Sequence, residues 1–517
     1  ESQLGYFGRI NYAFKNKYLL EGNLRYDGSS KFPSRLWWRW YPSFSAGWVV
    51  TEEKFMESAK SVLNFLKFRG SWGSIGDQSV PNNLYLPIMP SGLTTWIGSG
   101  GSRVPSVGTP PSIVSDITWQ DIVTSNFGVD IGLLENKINL TFDLFQRNTN
   151  HMIVPLEGVP LTFGVGAPQG NFGALITKGW EFSLDFNHRF ANGLGINFKG
   201  NISDAITRIG EYGTSQQVNA NYNGKDIGEI WGYRTDRLYQ KEDFELDANG
   251  NLQQITLTAA DLPGGLSDAV KNKLIGKKVN KLKSVNGAMP VYQAFLQNSA
   301  TFFFGPGDVK FRDVNGDGVI ENGSTSLTDH GDLEVIGNTT PRYEYGARLG
   351  ADFKGIDVSV FFQGVGRREI WGDGFLAIPG YQSSDGAMPE AIAGNYWRPD
   401  NTTAFYPAAF NNAGSGTTNN MQVQDRYLLN MSYLRLKNAT IGYTLPQNIT
   451  NKFWASSFRI YLALENFLTW DKLRGLPIDP ESISGYSMWN ADNYNLSRTG
   501  VGIPAFKSVS FGLQLNF

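Results

Sequence analysis

Hydrophobic and polar residues alternate with a period of two along much of this 517-residue chain. The alternation is cleanest near the C-terminus, where the apolar positions are Val509, Phe511, Leu513, Leu515 and Phe517 and the polar or small positions are Ser508, Ser510, Gly512, Gln514 and Asn516. Successive side chains of a β-strand point to opposite faces of a sheet, so this pattern predicts strands with one apolar and one polar face.

The same pattern predicts about thirteen strands, separated by connections of two kinds. The expected strands lie near residues 4–14, 18–28, 40–50, 65–75, 119–134, 138–153, 172–188, 194–209, 340–354, 356–370, 430–444, 456–470 and 504–517. Tight connections alternate with long ones, which are residues 76–118, 210–339, 371–429 and 471–503. A soluble β-sandwich also alternates along its strands, but short turns on one side and long loops on the other are typical of an outer-membrane β-barrel.

The predicted fold is therefore all-β, with residues 1–517 forming part of a transmembrane antiparallel β-barrel. With an odd number of strands, the first and last strands run in the same direction, whereas antiparallel closure needs an even number. We expect about 13 strands of a roughly 22-stranded barrel, with the other strands and the N-terminal plug absent from this chain. The large insertion 210–339 and the segments 371–429 and 471–503 are expected to be extracellular loops.

Composition supports a many-stranded β-protein and excludes several other classes. The chain has 59 glycines, 34 phenylalanines, 22 tyrosines and 14 tryptophans, an excess typical of strands with aromatic borders and tight turns. Its net charge of −2 provides no field that would attract nucleic acid, and the absence of cysteine excludes a disulfide framework and thiol catalysis. No run of about 20 apolar residues predicts a membrane-spanning helix. The chain either spans a membrane with strands or is a soluble β-protein.

Several strings of residues, in the same order along nearly the whole chain, match those of one known family. They are residues 25–32 (RYDGSSKF), 41–48 (YPSFSAGW), 66–78 (LKFRGSWGSIGDQ), 307–318 (GDVKFRDVNGDG), 335–343 (VIGNTTPRY), 433–438 (YLRLKN) and 465–470 (ENFLTW). Together they resemble the SusC-like family of TonB-dependent transporters from Bacteroidetes.

The resemblance implies a transporter of the bacterial outer membrane that imports glycan or peptide fragments. It also implies a SusD-like lipoprotein partner on the extracellular side and the TonB complex, which would act through the missing N-terminal part. Two other interpretations share the strand pattern. A passive porin or adhesin barrel would not need the family strings, and a soluble secreted glycan-binding β-protein would show no systematic difference between its two sets of turns.

An acidic stretch in the large insertion, residues 313–321, predicts a structural calcium site, because its sequence matches the first nine positions of a calcium loop. The expected ligands are Asp313, Asn315, Asp317, the Val319 carbonyl, Glu321 and Asp332. Position 12 is Ser324 rather than glutamate, so the bidentate ligand is expected from Asp329 or Asp332. The alternative is an Asx and glycine turn without a metal.

Aromatic residues in the long connections are the candidate substrate-binding residues. No membrane girdle requires a ring there, and flat rings bind sugar faces or peptide side chains at a small entropic cost. They are Trp96, Trp231, Tyr233, Trp371, Tyr396, Trp397, Tyr486 and Trp489. Many of these rings are expected simply to pack the loops.

A second aromatic group has a different interpretation. It consists of Trp37, Trp38, Trp40 and Tyr41. These residues border a predicted outward strand, where an aromatic girdle at the membrane surface is favoured over stacking on a sugar.

No catalytic constellation is predicted, and the protein is not expected to be an enzyme. His330 is more often a solvated loop histidine than a metal ligand. The pair Gly364 and Gly366 lacks the helix and the third glycine that a dinucleotide site needs.

The last predicted strand ends on an aromatic residue, Phe517. A terminal aromatic strand resembles the signal that the barrel assembly machinery reads, so Phe517 is the candidate C-terminal assembly signal. The apolar positions of this strand are expected to face lipid.

Overall fold

The computed structural model describes residues 1–98, 100–156, 160–297, 302–372, 390–409, 419–481 and 505–517. Its main element is an antiparallel sheet of 13 strands, in which each strand pairs with the next one along the chain. We label them β1 (Gln3–Phe14), β2 (Tyr18–Ser29), β3 (Trp38–Val49), β4 (Leu63–Asp77), β5 (Gln120–Leu133), β6 (Ile138–Pro155), β7 (Gln169–Arg189), β8 (Gly195–Tyr212), β9 (Arg342–Phe353), β10 (Ile356–Arg367), β11 (Tyr433–Thr444), β12 (Ser457–Asp471) and β13 (Ser508–Asn516). The predicted all-β fold is confirmed.

The thirteen strands lie within a few residues of the predicted positions. Within the described ranges, β1 and β13 each have one neighbour in the sheet. Past the end of β8 at Tyr212, the described part of the insertion 210–339 adds no strand to the large sheet.

The two faces of the sheet differ in chemistry, as the alternation predicts. One face exposes a continuous series of large apolar side chains, among them Ile10, Phe44, Trp72, Phe127, Leu144, Leu349, Ile441, Leu462 and Phe511. The other face carries charged side chains such as Arg69, Asp143 and Asp357. A broad exposed apolar face on a sheet is unfavourable in water and suits contact with lipid.

The connection between β9 and β10 shows how the chain reverses its direction within two residues. Lys354 and Gly355 form a two-residue loop in which both φ angles are positive, 48° and 86°. A Cβ on Gly355 would lie 2.6 Å from the carbonyl oxygen of Thr444. Glycine is therefore required here both by the backbone conformation and by the space available.

In the described ranges the helices are short and lie in the connections. They are the 3-10 helices Ser34–Leu36, Val50–Glu52, Lys54–Ala59, Leu161–Phe163, Lys241–Asp243, Ala259–Asp261, Ala294–Leu296 and Asn451–Phe453 and the α-helices Asp268–Leu274 and Gln447–Thr450. In the described part of the chain, no helix has both the length and the hydropathy to span a membrane.

The long connections between β8 and β13 fold together into a unit with its own core, which we call the loop module. It comprises residues 213–297, 302–341, 368–372, 390–409, 419–432 and 472–481. Its largest cluster of buried side chains draws on three separate connections, as shown by Phe311, Ile392 and Leu473. Its small antiparallel strand pairs are Glu229–Tyr233 with Leu333–Asn338, Thr235–Leu238 with Val309–Phe311, Gln254–Thr256 with Lys278–Asn280, and Glu369–Ile370 with Leu429–Asn430.

The connection between β4 and β5 has a separate arrangement. It contains an antiparallel hairpin, Ser91–Ile97 with Arg103–Val107. Its two ends pack with the start of β3 in a small cluster that contains Phe32, Tyr41 and Trp119. All the long connections thus meet the sheet at the same end of its strands.

Candidate functional site

Ion pairs across neighbouring strands organise the polar face of the sheet. Arg69 on β4 lies 3.1 Å from Asp130 on β5 and 2.6 Å from Asp143 on β6, measured from guanidinium nitrogen to carboxylate oxygen. Gly128 on β5 lies between Arg69 and Asp143 and leaves room for the guanidinium group. A Cβ at this position would be 2.5 Å from the Arg69 Cζ. The polar face therefore presents a fixed pattern of charge to whatever occupies the barrel interior.

A buried ionic cluster fastens the connection after β12 to the polar face of β11. Arg435 Nη2 donates to Asp479 Oδ1 at 2.6 Å, and Arg435 Nη1 donates to Glu481. Lys437 Nζ also donates to Glu481 at 2.8 Å, and the Tyr433 hydroxyl donates to it at 3.1 Å. Three members of the family string at residues 433–438 thus anchor a long connection to the strands.

Most of the predicted substrate-binding aromatics in the described ranges pack within the loop module. The Trp231 indole N–H donates to Glu229 at 2.8 Å, and its ring lies 5.3 Å from that of His330. Tyr233 is buried in the core. Three further rings, Trp371, Tyr396 and Trp397, are partly buried against the same core. In this conformation these five rings stabilise the module.

The other predicted aromatics have different positions. Trp96 lies on the exposed hairpin after β4 and is 79% exposed, so its ring is free to contact a ligand. Tyr486 and Trp489 lie outside the described residues.

Tyr41 does not belong to the aromatic girdle, and that interpretation is wrong for this residue. Trp38 and Trp40 lie on the apolar face, where both stack on Tyr26 with ring centroids 4.8 and 4.2 Å apart. Adjacent strand residues point to opposite faces, so Tyr41 points to the polar face. There it is 3% exposed, and its ring packs edge-to-face with that of Trp119, with the ring centroids 5.8 Å apart.

The predicted calcium ligands lie together in the loop module as a hydrogen-bonded turn. The Asp313 carboxylate accepts the backbone N–H groups of Gly316 and Gly318 at 2.6 and 2.9 Å. The buried Asp332 carboxylate accepts those of Val314 and Glu321 at 2.7 and 2.9 Å. Burial raises the pKa of Asp332 to about 6.

These bonds give the acidic stretch the geometry of an Asx and glycine turn. Across the described ranges, no three Asp, Glu, His or Cys side chains are placed to hold a metal ion. Binding of an ion would therefore require the carboxylates of Asp313 and Asp317 to reorient.

Comparisons with known proteins agree with the family strings. The TonB-dependent receptor P3 of Formosa agariphila is 25% identical over 531 residues, which cover 99% of this chain and 45% of that protein. The TonB-dependent receptor SusC of Bacteroides thetaiotaomicron is 25% identical over 486 residues, which cover 93% of this chain and 42% of that protein. The chain is therefore similar to SusC over most of its length. No protein-family model matches it.

Solved structures give the same result for the fold. The RagAB peptide transporter aligns with all of this chain and with 48% of its own chain, with a TM-score of 0.67 and 19% sequence identity. The predicted fold class, the SusC-like resemblance and the outer-membrane localisation are confirmed. The chain spans about half the length of the curated relatives that it matches.

We keep calcium as a proposal for the acidic turn, and its test is direct. If calcium binds there, a concentration one hundred times the Kd is expected to stabilise the loop module by about 2.7 kcal/mol. The readout is protection of the insertion from protease, compared in calcium and in chelator. Asp313→Asn combined with Asp317→Asn should abolish the effect, whereas Asp247→Asn, in another acidic turn of the module, should not. Equal protection in calcium and in chelator would contradict the proposal.

The terminal strand gives a second prediction. The apolar positions of β13 are all exposed on one face, and Phe517 is 85% exposed. We expect deletion of Phe517 to reduce the amount of folded protein in the outer membrane several-fold, because the terminal aromatic would be the assembly signal. Surface labelling of intact cells measures this, with Phe506→Ala, another exposed ring outside the strand, as the control. An unchanged surface level would show that Phe517 is not the signal.

Proposed function

We propose that the complete protein imports oligomeric nutrients, either glycan or peptide fragments, across the outer membrane. The observation that carries this proposal is the folded loop module at one end of an amphipathic sheet. Three separate long connections share its core. A passive pore does not need a folded unit of this size above its strands.

Two partners belong to the proposal. A SusD-like lipoprotein would cover the long-loop end, where the loop module and the exposed hairpin at residues 91–107 offer a broad surface. The TonB complex would drive transport from the periplasm. The names of the two TonB-dependent receptors support the TonB partnership. The lipoprotein partnership rests on the similarity to SusC alone.

We also propose that the chain performs no chemistry of its own. The curated relatives are named as receptors. The alternative of a soluble glycan-binding β-protein conflicts with the exposed apolar face of the sheet, which water would not tolerate.

Deletion of the gene for the full-length protein tests the import function. We expect the deletion strain to lose uptake of oligosaccharides or peptides too large for general porins, and complementation to restore it. A protonophore should also abolish uptake by the wild type, because TonB-dependent import needs energy. Uptake that survives the protonophore would indicate a passive pore.

Affinity purification from membranes is expected to recover a surface lipoprotein, and its absence would contradict the proposed partnership.

A further inference from the structure

A cleft of about 50 Å³ lies between two long connections, directly beyond the ends of β11 and β12. The connection before β11 supplies Phe405, Arg426 and Tyr427, and the connection after β12 supplies Lys472 and Arg474. A space of this size holds a few water molecules or one compact group such as a phosphate. Three of these five side chains are cations, so the cleft is a candidate site for an anionic group.

One aromatic ring organises the two guanidinium groups of the cleft. The Arg474 Cζ lies 3.5 Å from the centroid of the Phe405 ring, and the Arg426 Cζ lies 4.9 Å from the same centroid. The Arg426 Nε also donates to the carbonyl oxygen of Phe405 at 3.0 Å. An arginine has five N–H donors, and stacking on a ring uses none of them. Both arginines therefore keep donors for a ligand.

The protein does not balance the charge of this cleft. Across the ranges that the structure describes, Arg426, Lys472 and Arg474 form no ion pair. Desolvation lowers the pKa of Arg474, and the neighbouring charge of Arg426 lowers it further. By contrast, Arg398, which also lies over an aromatic ring of the loop module, is paired with Asp400 at 3.2 Å. Two like charges this close repel each other, and an anion between them would remove the repulsion.

The cleft lies just past the membrane border of the apolar face. Arg435 donates to Thr469 on the polar face, so the next residue of β12, Trp470, points to the apolar face, where it is 51% exposed. Tryptophans at the end of a lipid-facing strand lie at the level of the lipid headgroups. Lys472 and Arg474 follow two and four residues later.

The distance along the chain matches the depth of the headgroup layer. At about 3.3 Å per residue, the two cations lie at most about 7 and 13 Å beyond Trp470. The headgroup region on one side of a bilayer is about 5–8 Å thick, and long basic side chains extend towards it along apolar surface. The cations of the cleft are therefore within reach of lipid phosphate groups.

We propose that this cleft binds the phosphate group of a lipid headgroup in the outer leaflet of the outer membrane. Arg426 and Arg474 donate to the phosphate oxygens, which match the guanidinium fork, and Lys472 adds charge at the rim. The bound lipid ties the connection before β11 to the connection after β12. The site goes beyond import, because it takes a membrane lipid as a structural ligand rather than a transported substrate.

The test offers phosphatidic acid or phosphatidylcholine to the full-length protein in detergent and measures the bound lipid by native mass spectrometry. Phosphatidic acid has a terminal phosphate, whereas choline covers the phosphate of phosphatidylcholine, so wild type is expected to retain phosphatidic acid preferentially. A basic residue beside an anionic headgroup accounts for about a fivefold change in affinity. Arg474→Gln should therefore weaken binding of phosphatidic acid about fivefold, and Arg426→Gln combined with Arg474→Gln about thirtyfold.

Two controls separate lipid binding from a merely structural role. Arg398→Gln should leave lipid binding unchanged, because that arginine stacks on a ring but already has a carboxylate partner. Without lipid, the Tm of the double variant should be unchanged or higher, because two repelling charges are gone. If the arginines act only in packing, the double variant will instead have a lower Tm and the same lipid affinity as wild type.

Inorganic phosphate separates a lipid site from a site for the free ion. The acyl chains of a bound lipid also contact the apolar face beside Trp470, so inorganic phosphate should displace phosphatidic acid only at a large excess. Displacement at equal concentration would overturn the lipid assignment. Equal retention of the two lipids by wild type, or equal retention of phosphatidic acid by wild type and the double variant, would overturn the site itself.

Discussion

Replacing Arg435 by leucine is expected to release the connection after β12 from the strands. Arg435 and Asp479 are almost fully buried, and Glu481 depends on the same guanidinium. Removing one partner of a buried ion pair leaves uncompensated charge, which typically costs about 3–5 kcal/mol. A local loss of this size corresponds to at least a hundredfold larger open population of this connection.

Trypsin reports this opening directly, because Lys472 and Arg474 lie in the released connection. The cleavage rate at these two positions is expected to rise by about two orders of magnitude. Arg9→Leu is the matched control: it breaks an ion pair with Glu21 on the same sheet, but that arginine is 58% exposed and the effect should be far smaller. Equal cleavage of Arg435→Leu and wild type would show that the cluster does not hold the connection.

The loop module is expected to lose stability as pH rises towards neutrality, owing to Asp308. This carboxyl is fully buried, and burial raises its pKa from 3.8 to about 7 despite hydrogen bonds from Asn420 and Gly305. A carboxyl whose pKa is higher in the folded state than in the unfolded state favours folding when it is protonated. This stabilisation is fully present below the pKa of the unfolded state. That contribution is lost as pH rises from about 4 through 7, by at most about 1.4 kcal/mol per pH unit.

Hydrogen exchange of residues 305–309 and 419–424, corrected for intrinsic rates, measures this effect between pH 5 and pH 8. Asp308→Asn should make the protection nearly independent of pH. At pH 5 the variant should be less stable than wild type, because its amide places a donor opposite Asn420. At pH 8 the difference in stability between the two proteins should be smaller or reversed. Asp247→Asn is the control, because backbone hydrogen bonds lower the pKa of that exposed carboxyl. A wild-type profile as flat as that of Asp308→Asn would disprove the role of Asp308.

The sequence predicted the strands well because the signal for a strand is local. Alternation over ten residues identifies both the strand and its faces, as in β13. The same rule could have placed Tyr41 correctly, since Trp40 and Tyr41 cannot share a face; grouping them by residue type alone hid this.

The sites depend on contacts that no local pattern reveals. Arg435 meets Asp479 across 44 residues, and Asn420 meets Asp308 across 112. Neither pair has a periodic signature, so their partners appear only when the connections fold against one another. The acidic turn shows the opposite problem: its spacing matches a calcium loop, but the same oxygens also satisfy backbone amides.

The shared core of the loop module has a consequence for the order of assembly. Thr235 binds Asp425 across 190 residues, and Val309 binds Asn420 across 111. Closing such long stretches of chain is slow and entropically costly until the strands have brought their ends together. The module should therefore fold last, after β8 to β12 have paired in the membrane. During that interval its apolar segments would lack the partners that cover them in the finished core, and they would be open to proteolysis.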